Sequence, residues 1–566
     1  MPRPSVQNSV DLERIRAIPR RVASYTDAQV WSEVLTPEFL LPKARGTLKP
    51  WQAYCLAEAM QHGGLVAGLP VGEGKTLLSY LLPIALNSHR SLLLQPSAGL
   101  RDKTSSDFRS YVGTWRTPSP PPQVWTLQSL APEIGEHKIA QLRPTLIMVD
   151  ESDAAANISS SAVRRIIRYV RAERDAGRVV YLCFFTGTLS RKSIMGYWHQ
   201  LHLALRENAP MPEREGEAQM WAAALDDWGL RNSSVGRPSP GPLGRTIKEA
   251  REWFQRRLIE TPGVVIVDGD SCDRKLTINI QYANEDPGLD AHYERFLTQH
   301  EDPEGTPVSD PLSRWRIDGQ LGCGLYQKYV DPPPIDWREA RRALASFVRD
   351  EIDRTTYAAR PLDTEAQVIR HRPDDLRVQA WLAVKDTFTP VTRATWVTSS
   401  TIESVREWLA ESRGPSVVWC GSVEFGAELA EVARLPYYTR KGRDQNGRAL
   451  HDADPRRSLI ASWHANMRGF NLQAWNRAAI VLPPQSAKYL EQIFGRHHRS
   501  GQLRDVVFTI FATSGGTLDA FASALSEARF AQSTTTMTQK ILRAEINIPP
   551  KPRETITNVF RWATRQ

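Results

Sequence analysis

A glycine-rich loop between a predicted strand and a predicted helix constrains the fold of this 566-residue chain more than any other feature. The stretch is GGLVAGLPVGEGKTLLSYLLPIAL, residues 63–86. LVAGL predicts a short buried strand, and the apolar spacing from Thr76 onward predicts a helix. A strand, a glycine loop and a helix with GKT at the junction form the context that a phosphate-binding loop requires. A plain glycine turn remains the alternative, because Leu69 stands where the pattern GxxxxGK[ST] has its first glycine.

The loop residues suit a nucleotide chemically. Glycines let backbone N–H groups crowd round phosphates. A lysine at the helix start would reach the β and γ phosphates, and the following threonine would hold Mg²⁺. The candidates for nucleotide binding are therefore Gly72, Glu73, Gly74, Lys75 and Thr76, with Thr76 also a metal ligand.

A second predicted strand, TLIMV, ends at two adjacent carboxylates, Asp150 and Glu151. Open α/β sheets place their ligands at the carboxyl ends of strands. Two neighbouring carboxylates are costly to bury there unless a metal or a protonatable partner is near. We expect Asp150 to coordinate Mg²⁺ and Glu151 to polarise the attacking water. The alternative, an acidic loop after a strand, is weakened by the phosphate loop upstream.

Three more predicted strands end in polar residues, in SLLLQPSAGLRDK (91–103), VWTLQSL (124–130) and VVYLCFFTGTLS (179–190). Lys103, Gln128 and Thr188 lie at these ends. Such groups hydrogen-bond a nucleic-acid backbone or couple neighbouring loops. The alternation of apolar strands with helical patterns predicts a parallel sheet covered on both faces. Upstream, LKPWQ offers the Gln52 amide to an adenine edge, and a surface Trp51–Gln52 pair is the alternative.

From about residue 390 the strand–helix rhythm resumes without a second phosphate loop, and it leads to LEQIFGRHHRSGQ, residues 490–502. If this stretch is helical, Gln492, Arg496 and Arg499 share one face. Two guanidiniums and an amide suit an anionic partner, and a solvated charged face is the alternative. The two histidines between the arginines are interpreted as spacers. The stripe predicted to pack inward consists of Leu490, Ile493 and Phe494.

Eight stretches resemble, in order, the motifs of a superfamily-two helicase core: LKPWQ, PVGEGKT, LLLQPSAGLRDK, VDESD, TGTL, SVVWCGS, ANMRGFNLQAW and EQIFGRHHRSGQ. RSGQ followed by a strand and GTLDAF is most similar to the Swi/Snf-type branch. LGCGLYQKYVDPPPIDWREARRALASFVRDEID and YYTRKGRD are similar to helicase-like proteins of phages and prophages. The resemblance covers roughly residues 48–530. NMRG departs from the pattern, because Met467 and Arg468 replace small residues, whereas Gly469, Asn471 and Gln473 fit.

The resemblance implies an α/β fold with two RecA-like parallel-sheet lobes in tandem and a largely helical insertion between them. The implied divisions are an N-terminal extension (1–45), an ATP-binding lobe (46–200), the insertion (201–389), a second lobe (390–535) and a basic tail (536–566). Gln492, Arg496 and Arg499 of the second lobe would then act as catalytic residues across ATP and Mg²⁺ from Lys75, Asp150 and Glu151. Gly469 would join the nucleotide site, and Ser422 and Asn471 would contact nucleic acid.

The implied function is that of an ATP-dependent DNA helicase or translocase, with duplex or branched DNA favoured over single strands. An RNA-directed motor and a non-hydrolysing scaffold remain alternatives, and the sequence does not choose between moving along a duplex and separating its strands. The excess of 72 Lys and Arg over 63 Asp and Glu, a net charge of +9, is compatible with nucleic acid. Basic residues of the C-terminal stretch either track phosphates, dock a partner or are merely solvated; they are Lys551, Arg553, Arg561 and Arg565.

The five cysteines are scattered without a CxxC pair, so neither a zinc site nor a disulfide framework is predicted. The chain starts without the apolar segment of a secretory signal, and no apolar run has the length of a membrane span. We therefore expect a reducing, cytoplasmic location, in a bacterial host cell if the gene belongs to a phage or prophage. Tryptophans of the insertion are expected to be core residues, with base stacking as the minority reading; they are Trp221, Trp228, Trp253, Trp315 and Trp337.

Overall fold

The structure is a computed structural model. It describes residues 5–70, 72–189, 192–227, 237–270, 272–284, 286–298, 303, 311–355, 362, 364–389, 391–412 and 414–550. Trp228 and the basic residues of the C-terminal stretch lie outside these described residues.

Helices alternate with short strands along most of the described chain. The helices are α1 (Val10–Ala17), α2 (Tyr25–Phe39), α3 (Pro50–His62), α4 (Lys75–Ala85), α5 (Ala98–Tyr111), α6 (Ile134–Leu142), α7 (Ser161–Asp175), α8 (Met195–Leu205), α9 (Glu215–Leu225), α10 (Ile247–Ile259), α11 (Pro287–Thr298), α12 (Pro311–Gly322), α13 (Ile335–Arg354), α14 (Glu365–His371), α15 (Leu376–Val384), α16 (Ser400–Ala410), α17 (Val423–Ala433), α18 (Trp463–Asn466), α19 (Ala487–His497), α20 (Gly515–Thr535) and α21 (Lys540–Arg543). The strands are β1 (Gly64–Gly68), β2 (Ser91–Gln95), β3 (Gln123–Thr126), β4 (Leu146–Val149), β5 (Tyr181–Thr186), β6 (Val264–Ile266), β7 (Leu276–Tyr282), β8 (Leu325–Tyr329), β9 (Thr392–Trp396), β10 (Val417–Cys420), β11 (Tyr437–Tyr438), β12 (Leu459–Ser462), β13 (Arg477–Val481), β14 (Val506–Ala512) and β15 (Glu545–Asn547).

Contacts between residues divide the chain into two compact units. Unit one comprises Met1–Arg274, Ser486–Leu503 and Ser523–Ala544, and unit two comprises Lys275–Gln485, Arg504–Ala522 and Glu545–Gln566. The limits of these units differ from the divisions that the resemblance implies. In particular, the segment that carries the two predicted arginines belongs to unit one, although the chain on either side of it belongs to unit two.

Unit one is built on a six-stranded parallel sheet of order β3-β2-β4-β5-β1-β6. Alternate residues of β4 enter two different apolar clusters, with Ile147 and Val149 in one and Leu146 and Met148 in the other. The sheet is therefore buried on both faces, as the apolar runs predict. Because β4, β5 and β1 are neighbours in a parallel sheet, the loops that follow them start at the same edge.

Unit two is built on a seven-stranded parallel sheet of order β11-β12-β10-β13-β14-β7-β15. A separate antiparallel pair joins β8 to β9. The two parallel sheets with their many helices confirm the predicted α/β class with two RecA-like lobes. Residues 201–389 are rich in helix, α9 to α15, but they also supply β6 to the first sheet and β7 to the second.

The tryptophans that the structure describes in residues 201–389 mostly pack against other rings. Trp221 is fully buried and makes edge contacts with Trp253 and Phe254. Trp337 makes similar contacts with Trp381 and Phe388. The core interpretation is thus confirmed for Trp221. Among the described residues, no helix has both the length and the apolar character needed to cross a bilayer.

Candidate functional site

The loop between β1 and α4 has a backbone that only glycine adopts without strain at two positions. Gly72 has φ 98° and Gly74 has φ 75°, both in the left-handed region, and Gly74 directly precedes the first helical residue, Lys75. A Cβ at Gly74 would also collide with Nε2 of Gln52. The loop therefore wraps tightly around the start of α4, as a cradle of backbone N–H groups requires.

The start of α3 holds this loop in place. The buried Gln52 donates from Nε2 to the Gly74 carbonyl over 3.1 Å and accepts at Oε1 from the backbone N–H of Lys49 over 2.8 Å. Nζ of Lys49 donates to the Gly72 carbonyl over 2.7 Å and lies 3.7 Å from the Glu73 carboxylate. Both polar ends of the Gln52 side chain are thus engaged in hydrogen bonds that hold the loop. The sequence predicted a contact with adenine for Gln52 but did not predict this structural role.

Lys75 turns back over the loop. Its Nζ donates to the carbonyl of Leu69 over 3.0 Å and lies 3.4 Å from the carbonyl of Pro70. Lys75 and its neighbour Thr76 are both half-buried. An ammonium has three donors, so Lys75 keeps capacity and charge for an anion held by the loop.

The acidic pair lies at the carboxyl end of β4, as predicted. Asp150 accepts from Nε2 of Gln95 over 3.0 Å and from the backbone N–H of Glu151 over 3.0 Å. Burial raises the pKa of Asp150, the charge of Glu151 adds to this effect, and the charge of Lys75 opposes it. The electrostatic influence of Lys75 shows that the acidic pair and the glycine loop face one another.

Glu151 has a left-handed backbone, with φ 48° and ψ 53°. This conformation is strained for a residue with a side chain, and such strain persists where the surrounding structure fixes it. The following 3-10 helix, Ser152–Ala155, is buried at Ser152 and Asp153. The left-handed backbone at Glu151 therefore marks the sharp turn from β4 into this buried 3-10 helix.

The end of β5 is coupled to this acidic loop. The Thr186 hydroxyl lies 3.4 Å from Oδ1 of Asp153 and accepts from the backbone N–H of Thr188 over 3.0 Å. Thr188 itself is only 5% exposed. The sequence left two roles open for these hydroxyl residues, a nucleic-acid contact and the coupling of neighbouring loops. The observed hydrogen bonds couple neighbouring loops.

The helix α19 is tied into unit one at its start. Nζ of Lys488 forms an ion pair with Oδ2 of Asp153, and both side chains are almost completely buried. The backbone N–H of Ala487 donates to Oε2 of Glu527 over 2.8 Å, and the backbone N–H of Lys540 donates to Oε2 of Glu491 over 2.6 Å. These contacts attach α19 both to the acidic loop and to the C-terminal helices of unit one.

The predicted single face of Gln492, Arg496 and Arg499 needs correction, because α19 ends at His497 and Arg499 lies beyond it. His498 caps the helix with ψ 88°, and Gly501 turns the chain with φ 89°. Gln492 and Arg496 are buried, with Arg496 donating from Nε to the Gln492 carbonyl over 3.1 Å. The predicted inward stripe is confirmed, since its members are fully buried: Leu490, Ile493 and Phe494.

The two histidines between the arginines are not spacers. His497 and His498 are both buried. Nδ1 of His498 lies 3.2 Å from Nζ of Lys540 and 3.6 Å from Oδ2 of Asp270, and Lys540 is also paired with Asp270. His498 therefore anchors the turn that separates Arg496 from Arg499.

Lys103 interacts electrostatically with two arginines and with Asp150 of the acidic pair. Although the Lys103 side chain is exposed, partial desolvation by the surrounding protein lowers its pKa, the charge of Asp107 opposes this effect, and the charges of Arg496 and Arg499 lower the pKa further. The charge of Asp150 acts on Lys103 as well. Lys103 thus lies within electrostatic range of Arg496, Arg499 and Asp150. A lysine close to two other cations favours an anionic partner.

The remaining predicted residues fall at other places. Gln128 is exposed in the 3-10 helix Leu127–Leu130 that follows β3. In unit two, Ser422 caps α17, with its Oγ accepting from the backbone N–H of Phe425 over 3.2 Å. Gly469 has a left-handed φ of 85°, and Asn471 is exposed.

Comparison with known proteins returned no matching family model and no matching curated protein. The site is therefore defined by its own chemistry. Lys75 and the glycine loop suit phosphates, Asp150 and Glu151 suit a divalent cation, and the two arginines suit developing negative charge.

Sequence reasoning missed several residues that hold the site together. Lys488 lies four and eight residues before Gln492 and Arg496, so helical spacing alone places it on their face. Gln95 directly ends a predicted strand, which is a position for site residues. The partners of His498 gave no signal, since Asp270 and Lys540 are distant in the sequence.

Proposed function

We propose that this protein is an ATP- and Mg²⁺-dependent motor of the superfamily-two type, Swi/Snf-like, that acts on DNA. The observation that carries the proposal is the presence, within unit one, of a lysine-bearing glycine loop and a strand-end carboxylate pair, with the helix that carries Arg496 joined to the acidic loop by the Lys488–Asp153 ion pair. The charges of Lys75 and Glu151 both act on Asp150, and the charges of Arg496 and Arg499 act on Lys103 beside it.

The residues fit ATP and Mg²⁺. Asp150 accepts one hydrogen bond at Oδ2, from Gln95, and one at Oδ1, from the backbone N–H of Glu151, which leaves lone pairs on both oxygens for a divalent ion. Asp150 and Thr76 would hold Mg²⁺, and the loop from Gly72 to Lys75 would hold the phosphates. When bound, Mg²⁺ neutralises charge that develops on the phosphate oxygens.

The other side chains have separate tasks. Glu151, which follows the carboxyl end of β4, would accept a hydrogen bond from the attacking water and orient it. Arg496 and Arg499 donate to oxygens that become more negative during transfer, an effect worth about 10³–10⁵ in rate. Gln492 supports Arg496 from the preceding helical turn.

The coupling to nucleic acid uses exposed polar groups of both units. Lys103 and Gln128 are exposed in unit one, and Asn471 is exposed in unit two. Contacts of this kind to the backbone carry little sequence preference. We propose that Lys103, which interacts electrostatically with the two arginines, couples nucleic-acid binding to the ATP site. The phage-like stretches support action in phage or prophage replication or recombination, in the cytoplasm of a bacterial host.

The test is ATP hydrolysis by the purified full chain, measured alone and with duplex DNA, forked DNA, single-stranded DNA or RNA. We expect Mg²⁺-dependent hydrolysis that duplex or forked DNA stimulates at least tenfold. Stimulation by RNA alone would make the RNA-directed motor the correct reading. Absence of hydrolysis under all conditions, with nucleic acid still bound, would make the protein a scaffold instead.

A further inference from the structure

The first sheet has an open edge at β3. This strand pairs with β2 on one side only and is the last strand of the sheet order. An edge strand presents backbone N–H and C=O groups on its free side. A groove of about 690 Å³ runs along it, from Arg90 before β2 to Ser129 in the following 3-10 helix. The volume is in the range of ligand sites.

The walls of this β3 groove carry positive charge. Arg90, Arg101 and Lys138 line it, and among its described lining residues none is Asp or Glu. Arg90 and Lys138 are exposed, whereas Arg101 donates to the neighbouring Asp102 over 2.8 Å. Cations that converge on a groove without carboxylates fit an anionic occupant.

An aromatic ring and neutral polar groups complete the lining. Trp125 of β3 is half-buried, so that part of its surface borders the groove. Gln123 and Gln141 are exposed beside it. A tryptophan flanked by cations and amides suits an unpaired base and its phosphates, because stacking requires a base that is not enclosed in a duplex.

The β3 groove is lined by residues next in the chain to those predicted to contact nucleic acid. Ser129 follows Gln128 in the chain, and Arg101 lies two residues before Lys103 on α5. An acidic peptide added to the strand edge would use the same backbone groups. Such a peptide would not need the tryptophan, however, and β3 has only four residues with which it could pair.

We propose that the β3 groove binds a single-stranded stretch of nucleic acid, with Arg90, Arg101 and Lys138 on phosphates and Trp125 against a base. This inference rests on the proposed nucleic-acid function and adds a path along the sheet edge, away from the carboxyl ends of the strands that carry the ATP site. A branched or opened DNA supplies such a strand.

The experiment measures binding of a labelled 20-nucleotide single strand to the full chain by fluorescence anisotropy across a range of salt concentrations. The test variants are Arg90→Glu/Lys138→Glu and Trp125→Leu. The matched control is Lys248→Glu/Arg256→Glu, which reverses two charges on α10, outside the groove. Thermal unfolding checks that each variant is folded.

We expect the double reversal to weaken binding at least tenfold and to reduce the slope of log K against log salt by about 1.4, since two phosphate contacts are lost. Trp125→Leu should weaken binding about five- to hundredfold. The α10 control should bind within twofold of the unchanged protein.

Equal binding by the groove variants and the control would overturn the groove proposal while leaving the motor intact. Competition by a deca-glutamate peptide as strong as that by the oligonucleotide would assign the groove to acidic peptides instead. Failure of the unchanged protein to bind any nucleic acid would refute the proposed function, and the groove proposal with it.

Discussion

Lys488 and Asp153 form an ion pair inside unit one, with side chains only 4% and 1% exposed. The pair joins the helix that carries Arg496 to the loop that carries Asp150 and Glu151. A buried ion pair is costly to form, and removing one partner leaves the other charge uncompensated. The pair therefore fixes the distance between the arginines and the acidic loop.

Lys488→Met should lower the free energy of unfolding by about 3 kcal/mol, because Asp153 remains buried without its cation. Lys488→Met/Asp153→Asn should recover most of that stability and should still hydrolyse ATP at least tenfold more slowly than the unchanged protein. Urea unfolding and steady-state turnover measure the two effects. If turnover recovers together with stability in the double variant, the pair has no positioning role.

Lys75→Ala should abolish ATP hydrolysis while the fold survives, since the hydrogen bonds of the Lys75 side chain in the described structure go to the carbonyls of Leu69 and Pro70 in its own loop. Turnover and far-UV circular dichroism check the two parts. Lys248→Ala, at a side chain 87% exposed on α10, serves as the control and should change neither. Near-normal turnover of Lys75→Ala would show that the glycine loop is misread.

Arg499→Ala should leave nucleotide affinity within threefold and reduce turnover about 10³-fold or more, because the guanidinium acts on charge that develops only during transfer. Nucleotide titration and single-turnover kinetics separate the two quantities. The exposed Arg45 supplies the control as Arg45→Ala. A collapse of affinity with normal turnover per bound ATP would contradict the assigned role.

Gln52→Ala should weaken nucleotide binding at least tenfold. The substitution leaves the Lys49 N–H and the Gly74 carbonyl without their side-chain partner, at a cost of about 1–3 kcal/mol. A fluorescent ATP analogue measures the affinity. Gln61→Ala, at an exposed position of the same helix, should bind normally. Unchanged affinity in Gln52→Ala would show that the loop holds its shape without this bridge.

Asp226 gives a prediction for pH. Burial raises its pKa to about 7, against the opposing hydrogen bonds from Ser193 and Ile194. Because the folded-state pKa exceeds the unfolded value, its contribution to stability is complete below about pH 4 and is lost as the pH rises through 7. Asp226→Asn should flatten this dependence and raise the free energy of unfolding at pH 8 by about 3 kcal/mol.

Urea unfolding at pH 5 and pH 8 measures this effect, and the exposed Asp175, at the end of α7, provides Asp175→Asn as the control. The assignment fails if Asp226→Asn shifts stability equally at both values of pH.

Local patterns predicted the elements that depend on local chemistry. The strand LVAGL, the glycine loop and the carboxylates after β4 follow from apolar runs and from the conformational needs of glycine. The helical stripe of Leu490, Ile493 and Phe494 follows from periodicity. In each case the pattern that predicts the feature lies within a short stretch of sequence.

The features that escaped prediction depend on distant partners or on the ends of elements. Arg499 was predicted to lie on a helix, but that helix ends at His497. The next residue, His498, is held by Lys540, which is more than 40 residues away in the sequence. The sequence left Thr188 between a nucleic-acid contact and a link between neighbouring loops, and its burial depends on tertiary packing that the sequence does not show. The membership of β6 in one sheet and β7 in the other also depends on strands distant in the sequence.

The order of segments in the two units has a consequence for how this protein can be divided. The chain passes from one unit to the other five times, at residues 274, 485, 503, 522 and 544. A fragment ending at residue 274 keeps Asp153 in its core but lacks the lysine that neutralises it. No single cut separates the two units, and synthesis must pass residue 544 before the first sheet acquires all the segments of its unit.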